Sequence, residues 1–75
     1  MQDVTGVESH DGNTYVVEFD TETEIVSFFD EEYVPIAYFS LATLATITGG
    51  LWLDLGAGLF IDPTAMAGVK DFCRI

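Results

Sequence analysis

Residues 14–20 have the sequence Thr-Tyr-Val-Val-Glu-Phe-Asp, and this stretch decides the fold of the N-terminal half. Successive side chains of a β-strand point to opposite faces, so a strand places Tyr15, Val17 and Phe19 on one face. The opposite face then carries Thr14, Val16, Glu18 and Asp20. The alternation predicts a strand with one face in a hydrophobic core.

Turn residues on both sides of this strand extend it into a sheet. Residues 10–13 contain Asp-Gly and Gly-Asn, which favour a hairpin because glycine adopts positive φ freely. They separate the strand from an earlier one at residues 4–9. A second turn at residues 21–23 leads to a third strand at residues 24–29. We therefore expect a three-stranded antiparallel sheet.

A charge-free segment follows the acidic cluster at residues 30–32. Apolar residues at Ile36 or Ala37, Leu41, Leu44 and Ile47 have helical spacing. Pro35 precedes this pattern, and Gly49-Gly50 would stop a helix. The sequence predicts a helix over residues 36–48, apolar or small on every side and therefore buried.

The remaining sequence predicts a short strand and a C-terminal helix. Residues 51–55 alternate as a strand, and residues 59–61 resume it after a glycine-rich break. Asp62 as N-cap and Pro63 at the first helical position predict a helix through residue 73. The expected fold class is α+β, with residues 1–75 as one small acidic domain. In it, an N-terminal β-hairpin or three-stranded sheet packs on the buried apolar helix, the short strand and the C-terminal helix.

Charge is the strongest functional signal. The chain has 13 Asp or Glu residues against 2 Lys or Arg, a net charge of −11, and ten of the acids lie within residues 3–32. A hydrophobic content of 49% is too high for a disordered acidic tail. Direct binding to nucleic acid is disfavoured because two cations cannot neutralise a phosphate backbone.

No catalytic motif stands out. His10 lies in a predicted turn beside Ser9 and Asp11, where neighbouring side chains diverge, so we expect an exposed turn histidine. Cys73 is the only cysteine, which excludes an intramolecular disulfide, and we expect it to be structural. We predict that the protein is not an enzyme and has no catalytic residues.

Ligand motifs are also weak. Asp20, Glu22 and Glu24 alternate along the chain, but an EF-hand loop starting at Asp20 would have Ile25 where it needs glycine. The glycines near residues 49–50 and 56–58 lack the Lys, Ser or Thr of a phosphate-binding loop, so we interpret them as turn glycines. We expect no metal and no cofactor.

The length of the uncharged segment raises the possibility of a membrane span. Residues 33–53 contain no charge and formally meet the length criterion for a transmembrane helix. Pro35, Ser40, three threonines and the lack of flanking cations argue against a span. We therefore expect a cytoplasmic (intracellular) protein with no membrane contact.

The acids can mimic the phosphate array of DNA or RNA. In this interpretation the protein is a small non-catalytic inhibitor that blocks a basic groove of a nucleic-acid-processing protein, such as a nuclease or defence complex. Small phage-encoded inhibitors often have this size and charge, and the similarity is limited to these two properties. The predicted partner-binding acids are Glu18, Asp20, Glu22, Glu24, Asp30, Glu31 and Glu32.

Two alternatives stay open. The acidity can be an adaptation to molar salt in a halophilic archaeon, although the second half of the chain is nearly bare of acids. The chain can also be a small interaction or assembly module whose acids keep it soluble while the apolar half makes the contact.

The apolar half predicts self-association. A charge-free helix and Trp52 exceed what one small sheet can cover, and large exposed apolar patches mark interfaces. We therefore expect a homodimer. Its predicted interface residues are Tyr38, Phe39, Leu41, Leu44 and Trp52.

Overall fold

A four-stranded antiparallel sheet forms the N-terminal half of the computed structural model, which describes residues 2–48 and 50–75. The strands lie side by side in chain order. They are β1 (Gln2–Glu8), β2 (Thr14–Asp20), β3 (Ile25–Phe29) and β4 (Pro35–Ser40). The predicted three-strand sheet is confirmed, and the structure adds a fourth strand.

The two faces of the sheet differ as the alternation in β2 predicts. Tyr15, Val17 and Phe19 are buried on the face that we call the inner face. In the register, Val17 lies opposite Phe28, and Phe19 lies opposite Val26. The outer face carries Val4, Val16, Glu18, Ser27, Phe29 and Tyr38. Val4 is 55% exposed and Tyr38 is 74% exposed, so the two edges of the outer face are open to solvent, whereas Glu18 between them is 7% exposed.

A second layer covers the inner face. Its elements are α1 (Leu41–Ala45), β5 (Leu53–Gly56), β6 (Leu59–Ile61) and α2 (Pro63–Cys73). β5 and β6 form a separate antiparallel hairpin. The second layer contributes Leu44, Leu53, Leu55, Ile61, Ala65, Met66, Val69 and Cys73 to the core. The chain therefore has an α+β fold.

The C-terminal helix begins as the sequence predicts. The Asp62 carboxylate accepts a hydrogen bond from the Ala65 backbone N–H at 2.8 Å, and Pro63 occupies the first turn. Both features stabilise a helix start, since the first backbone N–H groups have no partner within the helix. The helix ends at Arg74, whose φ of 61° is left-handed.

The predicted helix over residues 36–48 is wrong in its first half. Residues 35–40 form strand β4, and α1 contains only five residues, of which Leu44 alone is buried. Packing of the sheet on a buried apolar helix is therefore not what the structure shows. Gly49, part of the predicted helix stop, lies outside the described residues.

A tight turn explains why β4 forms in place of a helix. The Asp30 N–H donates to the Val34 carbonyl oxygen, and Tyr33 adopts a left-handed φ of 65°. The chain therefore reverses and runs back along β3, where Phe39 pairs with Val26. Helical spacing is met only after Ser40, whose hydroxyl oxygen accepts from the Thr43 N–H at 3.1 Å and caps α1.

The described residues of the uncharged stretch 33–53 include the end of the β3–β4 turn, β4, α1 and the first residue of β5. Among the residues that the structure describes, no helix has the length and hydrophobicity needed to cross a bilayer.

Leu44 provides a test of the packing. It is 0% exposed, so Leu44→Ala should lower the free energy of unfolding by about 2–5 kcal/mol through lost burial and a residual cavity. Leu51→Ala makes the same change at a side chain that is 56% exposed and should cost less than about 0.5 kcal/mol. Urea unfolding followed by circular dichroism measures both; equal losses would contradict the packing described here.

Candidate functional site

The predicted partner-binding acids divide between the two ends of the sheet. Asp20, Glu22 and Glu24 lie at the end of β2 and in the β2–β3 turn. Asp30, Glu31 and Glu32 lie in the β3–β4 turn at the opposite end. The two groups are separated by the five residues of β3, about 17 Å at about 3.3 Å per residue.

Two of these acids have a structural role in the turns. The Asp20 carboxylate accepts hydrogen bonds from the backbone N–H groups of Glu22 at 2.9 Å and Thr23 at 3.2 Å. The Asp30 carboxylate accepts from the Glu32 and Val34 N–H groups, both at 2.9 Å. Such bonds stabilise a turn by giving its backbone donors an acceptor. Asp20 and Asp30 therefore form part of the fold as well as part of the acidic surface.

The same arrangement recurs at other chain reversals. Asp11 accepts from the Asn13 N–H at 3.0 Å in the β1–β2 turn. Asp54 accepts from the Gly56 N–H at 2.7 Å in the β5–β6 turn. At each of these turns, and at the N-terminus of α2, an aspartate carboxylate accepts hydrogen bonds from backbone N–H groups. Apart from the N-cap at Asp62, this role is not among the predictions from the sequence, although Asp at a predicted turn is its usual signal.

The glutamates supply most of the accessible charge. Glu22, Glu24, Glu31 and Glu32 are exposed in the two turns. Glu18 differs, because it lies in a central strand between Val4 and Ser27 and is only 7% exposed. Lys70 lies in α2 and Arg74 caps its C-terminus, so both cationic side chains belong to the second layer.

The predicted apolar interface is separated by the fold. Leu44 is fully buried, and Phe39 packs edge-on against Phe28 with ring centroids 5.9 Å apart. Leu41 is half-buried and packs against the core. Leu44 is therefore enclosed in the core, whereas Phe39 and Leu41 pack against the core and are only partly buried. Tyr38 and Trp52, which are 74% and 52% exposed, remain accessible.

More apolar side chains are exposed than the two predicted ones, Tyr38 and Trp52. The exposed set also includes Val4, Tyr33, Val34, Leu51, Phe60 and Ile75. Tyr33 packs against Phe29, with ring centroids 4.6 Å apart, at the end of β3. This contact was not predicted, because the sequence analysis placed a helix at residues 36–48. Without strand β4 there was no β3–β4 turn to bring Tyr33 beside Phe29.

Ser9, His10 and Asp62 meet where the β1–β2 turn contacts the start of α2. Asp62 accepts from the backbone N–H of His10 and lies 3.2 Å from the Ser9 hydroxyl. The Ser9 hydroxyl is also within 3.2 Å of the Phe60 carbonyl oxygen. A catalytic triad needs the carboxylate to orient the imidazole ring beside the nucleophile. Here the carboxylate binds the histidine backbone, so the cluster joins the two layers of the fold.

The cysteine and the glycine-rich segment also have structural positions. Cys73 is buried in α2, and burial raises the pKa of its thiol, which disfavours the reactive thiolate. Gly56, Ala57 and Gly58 form the β5–β6 turn, all with positive φ. The interpretation of these glycines as turn residues is confirmed.

The described residues provide no metal centre of recognisable form. Within residues 2–48 and 50–75, no three His, Cys, Asp or Glu side chains converge as metal ligands. In the alternating set at Asp20, Glu22 and Glu24, Asp20 is bonded to turn N–H groups. The site therefore consists of two exposed acidic turns with the largely apolar strand β3 between them.

Comparison with protein-family models, curated proteins and solved structures gives no match.

The hydrogen-bonded aspartates should make the free energy of unfolding fall at acidic pH. Backbone N–H donors, led by Ala65 for Asp62 and by Glu22 for Asp20, hold the pKa of both carboxyls below the usual range. Since the folded pKa lies below the unfolded value of about 3.9, their stabilising effect is present above that pH. It is lost as the pH falls through the folded value.

Melting temperatures across pH should show this contribution. We expect wild type to melt higher than Asp62→Asn above about pH 5, with a gap that shrinks as the pH falls below about 4. The Asp71→Asn control removes one charge from an exposed position on the same helix. A gap for Asp62→Asn that is constant with pH would contradict the role of the ionised cap.

Proposed function

We propose that this chain is a non-catalytic binding protein that occupies a basic groove of a nucleic-acid-processing protein by presenting charge in place of nucleic acid. The observation that carries the proposal is the pair of exposed acidic turns at opposite ends of β3. Their separation of about 17 Å is of the same order as the width of the DNA major groove, about 12 Å, which two rows of phosphates border.

The placement of the cations supports the same proposal. Lys70 and Arg74 belong to α2, so the surface formed by the acidic turns and the outer face contains neither. A surface that carries carboxylates and no cation speeds association with a basic groove and repels nucleic acid. The partner class is therefore a basic protein, with no direct contact to nucleic acid.

Self-association remains a separate prediction. Leu44 is fully buried and Phe39 packs against the core, whereas Tyr38 and Trp52 are accessible. Of the predicted interface residues, Tyr38 and Trp52 are therefore the best placed to contact a second copy.

Competition with DNA tests the proposal. We expect the protein to displace labelled duplex DNA from at least one member of a panel of purified nucleases and related enzymes, read by fluorescence anisotropy. A Glu24→Gln, Glu31→Gln, Glu32→Gln variant should weaken displacement about tenfold or more, because the turns lose their exposed charge.

The matched control removes three charges elsewhere. Asp3→Asn, Glu8→Gln and Asp71→Asn change exposed positions on β1 and α2 and give the same net charge. We expect it to displace DNA within about twofold of wild type, since diffuse charge contributes less than localised contacts. Equal losses in the two triple variants would show that net charge alone matters.

Adaptation to high salt is the competing explanation and gives a different melting behaviour. If the acids serve binding, a cooperative melt should already be present near physiological salt and change little up to molar KCl, because the Debye length there is already about 8 Å. Circular dichroism across KCl concentration measures this. Folding that appears only in molar salt would favour the halophilic alternative.

A further inference from the structure

Strand β4 is a charge-free edge of the sheet. Among the described residues it pairs as a strand with β3 alone, although β5 lies near it, and it contains Pro35, Ile36, Ala37, Tyr38, Phe39 and Ser40. Edge strands offer unpaired backbone groups to other chains and are usually protected by charge. The opposite edge, β1, has Asp3 and Glu8, whereas β4 has no charged residue. The proline at its start is the only protective residue in β4.

An apolar groove accompanies this edge. Its lining is formed by Ser27, Phe28, Phe29, Pro35, Ile36, Ala37, Tyr38 and Phe39. Tyr38, 74% exposed, extends from the outer face at the middle of the strand. Side chains of an added strand would lie against this groove at every second position.

Acidic turns stand at both ends of the edge. At one end the Leu41 N–H, directly after β4, donates to the Glu24 carbonyl oxygen at 2.8 Å. At the other end Glu31 and Glu32 form the turn that leads into β4. A segment lying along β4 would therefore meet apolar surface at its centre and carboxylates at both ends.

We propose that β4 accepts an extended segment of a basic partner as a fifth strand of the sheet. The segment has alternating apolar side chains in its centre and Lys or Arg near both ends. Backbone hydrogen bonds to β4 provide affinity, the groove takes the apolar side chains, and the acidic turns select the cations. The inference rests on the proposed function and specifies where the basic partner docks.

Charge disfavours a second copy of this chain as the occupant. Antiparallel pairing of two β4 strands would place the Glu24 end of one copy beside the Glu31 and Glu32 end of the other. Like charges opposed in this way repel each other. A basic segment has the opposite effect, because both of its ends meet carboxylates.

A synthetic peptide provides the direct test. The probe is Lys-Lys-Val-Thr-Val-Thr-Val-Lys-Lys, and the control probe has proline in place of the central valine, which blocks strand pairing without changing charge. We expect the first peptide to bind at low salt and to protect the backbone amides of Tyr38 and Ser40 from hydrogen exchange, read by NMR. The N–H groups of these two residues alternate with that of Leu41, which faces β3, and so point to the free edge. The proline peptide should bind about tenfold more weakly or not at all.

Two single substitutions locate the docking edge. Val4, Glu18, Ser27 and Tyr38 form one row across the outer face, so Val4 and Tyr38 occupy opposite edges of the same row. Tyr38→Lys should weaken peptide binding about tenfold or more, because it adds a cation beside the docked strand. Val4→Lys makes the same change of charge at β1 and should alter binding less than about twofold.

The outcomes separate this inference from the proposed function. Weakening by the Glu24, Glu31, Glu32 triple variant with equal effects of Tyr38→Lys and Val4→Lys would leave acidic recognition standing and overturn docking at β4. Weakening by Tyr38→Lys with no effect of the triple variant would support the edge and contradict recognition by the acidic turns. Amide protection confined to β1, absence of binding at about millimolar peptide, or a dimer that the peptide cannot disrupt would overturn the inference.

Discussion

The fold depends on hydrogen bonds from backbone N–H groups to ionised aspartates at its chain reversals. Asp20 and Asp30 hold the turns on either side of β3, and Asp62 caps α2 while binding the β1–β2 turn. These bonds fix where the chain reverses and hence which strands pair. Because the acceptors are charged, part of the negative charge of the protein also determines its topology.

The N-terminal hairpins could be predicted because local signals there agree with each other. Alternation along β2 and the Asp-Gly turn both indicate antiparallel strands, and the register confirms them. Segment 36–48 was ambiguous because its apolar spacing fits a helix. Strand pairing decided the outcome, since the turn at Asp30 and Tyr33 presents residues 35–40 to the free side of β3. The spacing of apolar residues within a short segment does not show that β3 will be available as its pairing partner.

The candidate site was predicted in composition but not in arrangement. The acidic residues are evident from the sequence. Their division into two groups at the ends of β3, and the 7% exposure of Glu18 in a central strand, are not. The predicted interface residues are divided by the fold for a related reason. Leu44 and Tyr38 are both apolar residues in one uncharged stretch, and only the chain reversal places one in the core and the other on the surface.

Aspartates and glutamates have different roles in these turns because their side chains differ in length. The short aspartate side chain reaches backbone N–H groups two to four residues ahead, as at Asp20 and Asp30, and so serves the turn. The longer glutamate side chains at Glu24, Glu31 and Glu32 extend from those same turns into solvent. Each turn thus carries one carboxylate that shapes the backbone and others that remain available to a partner. The edge strand between them lacks charge of its own, so the turns provide electrostatic protection against self-pairing while leaving the edge attractive to a cationic segment.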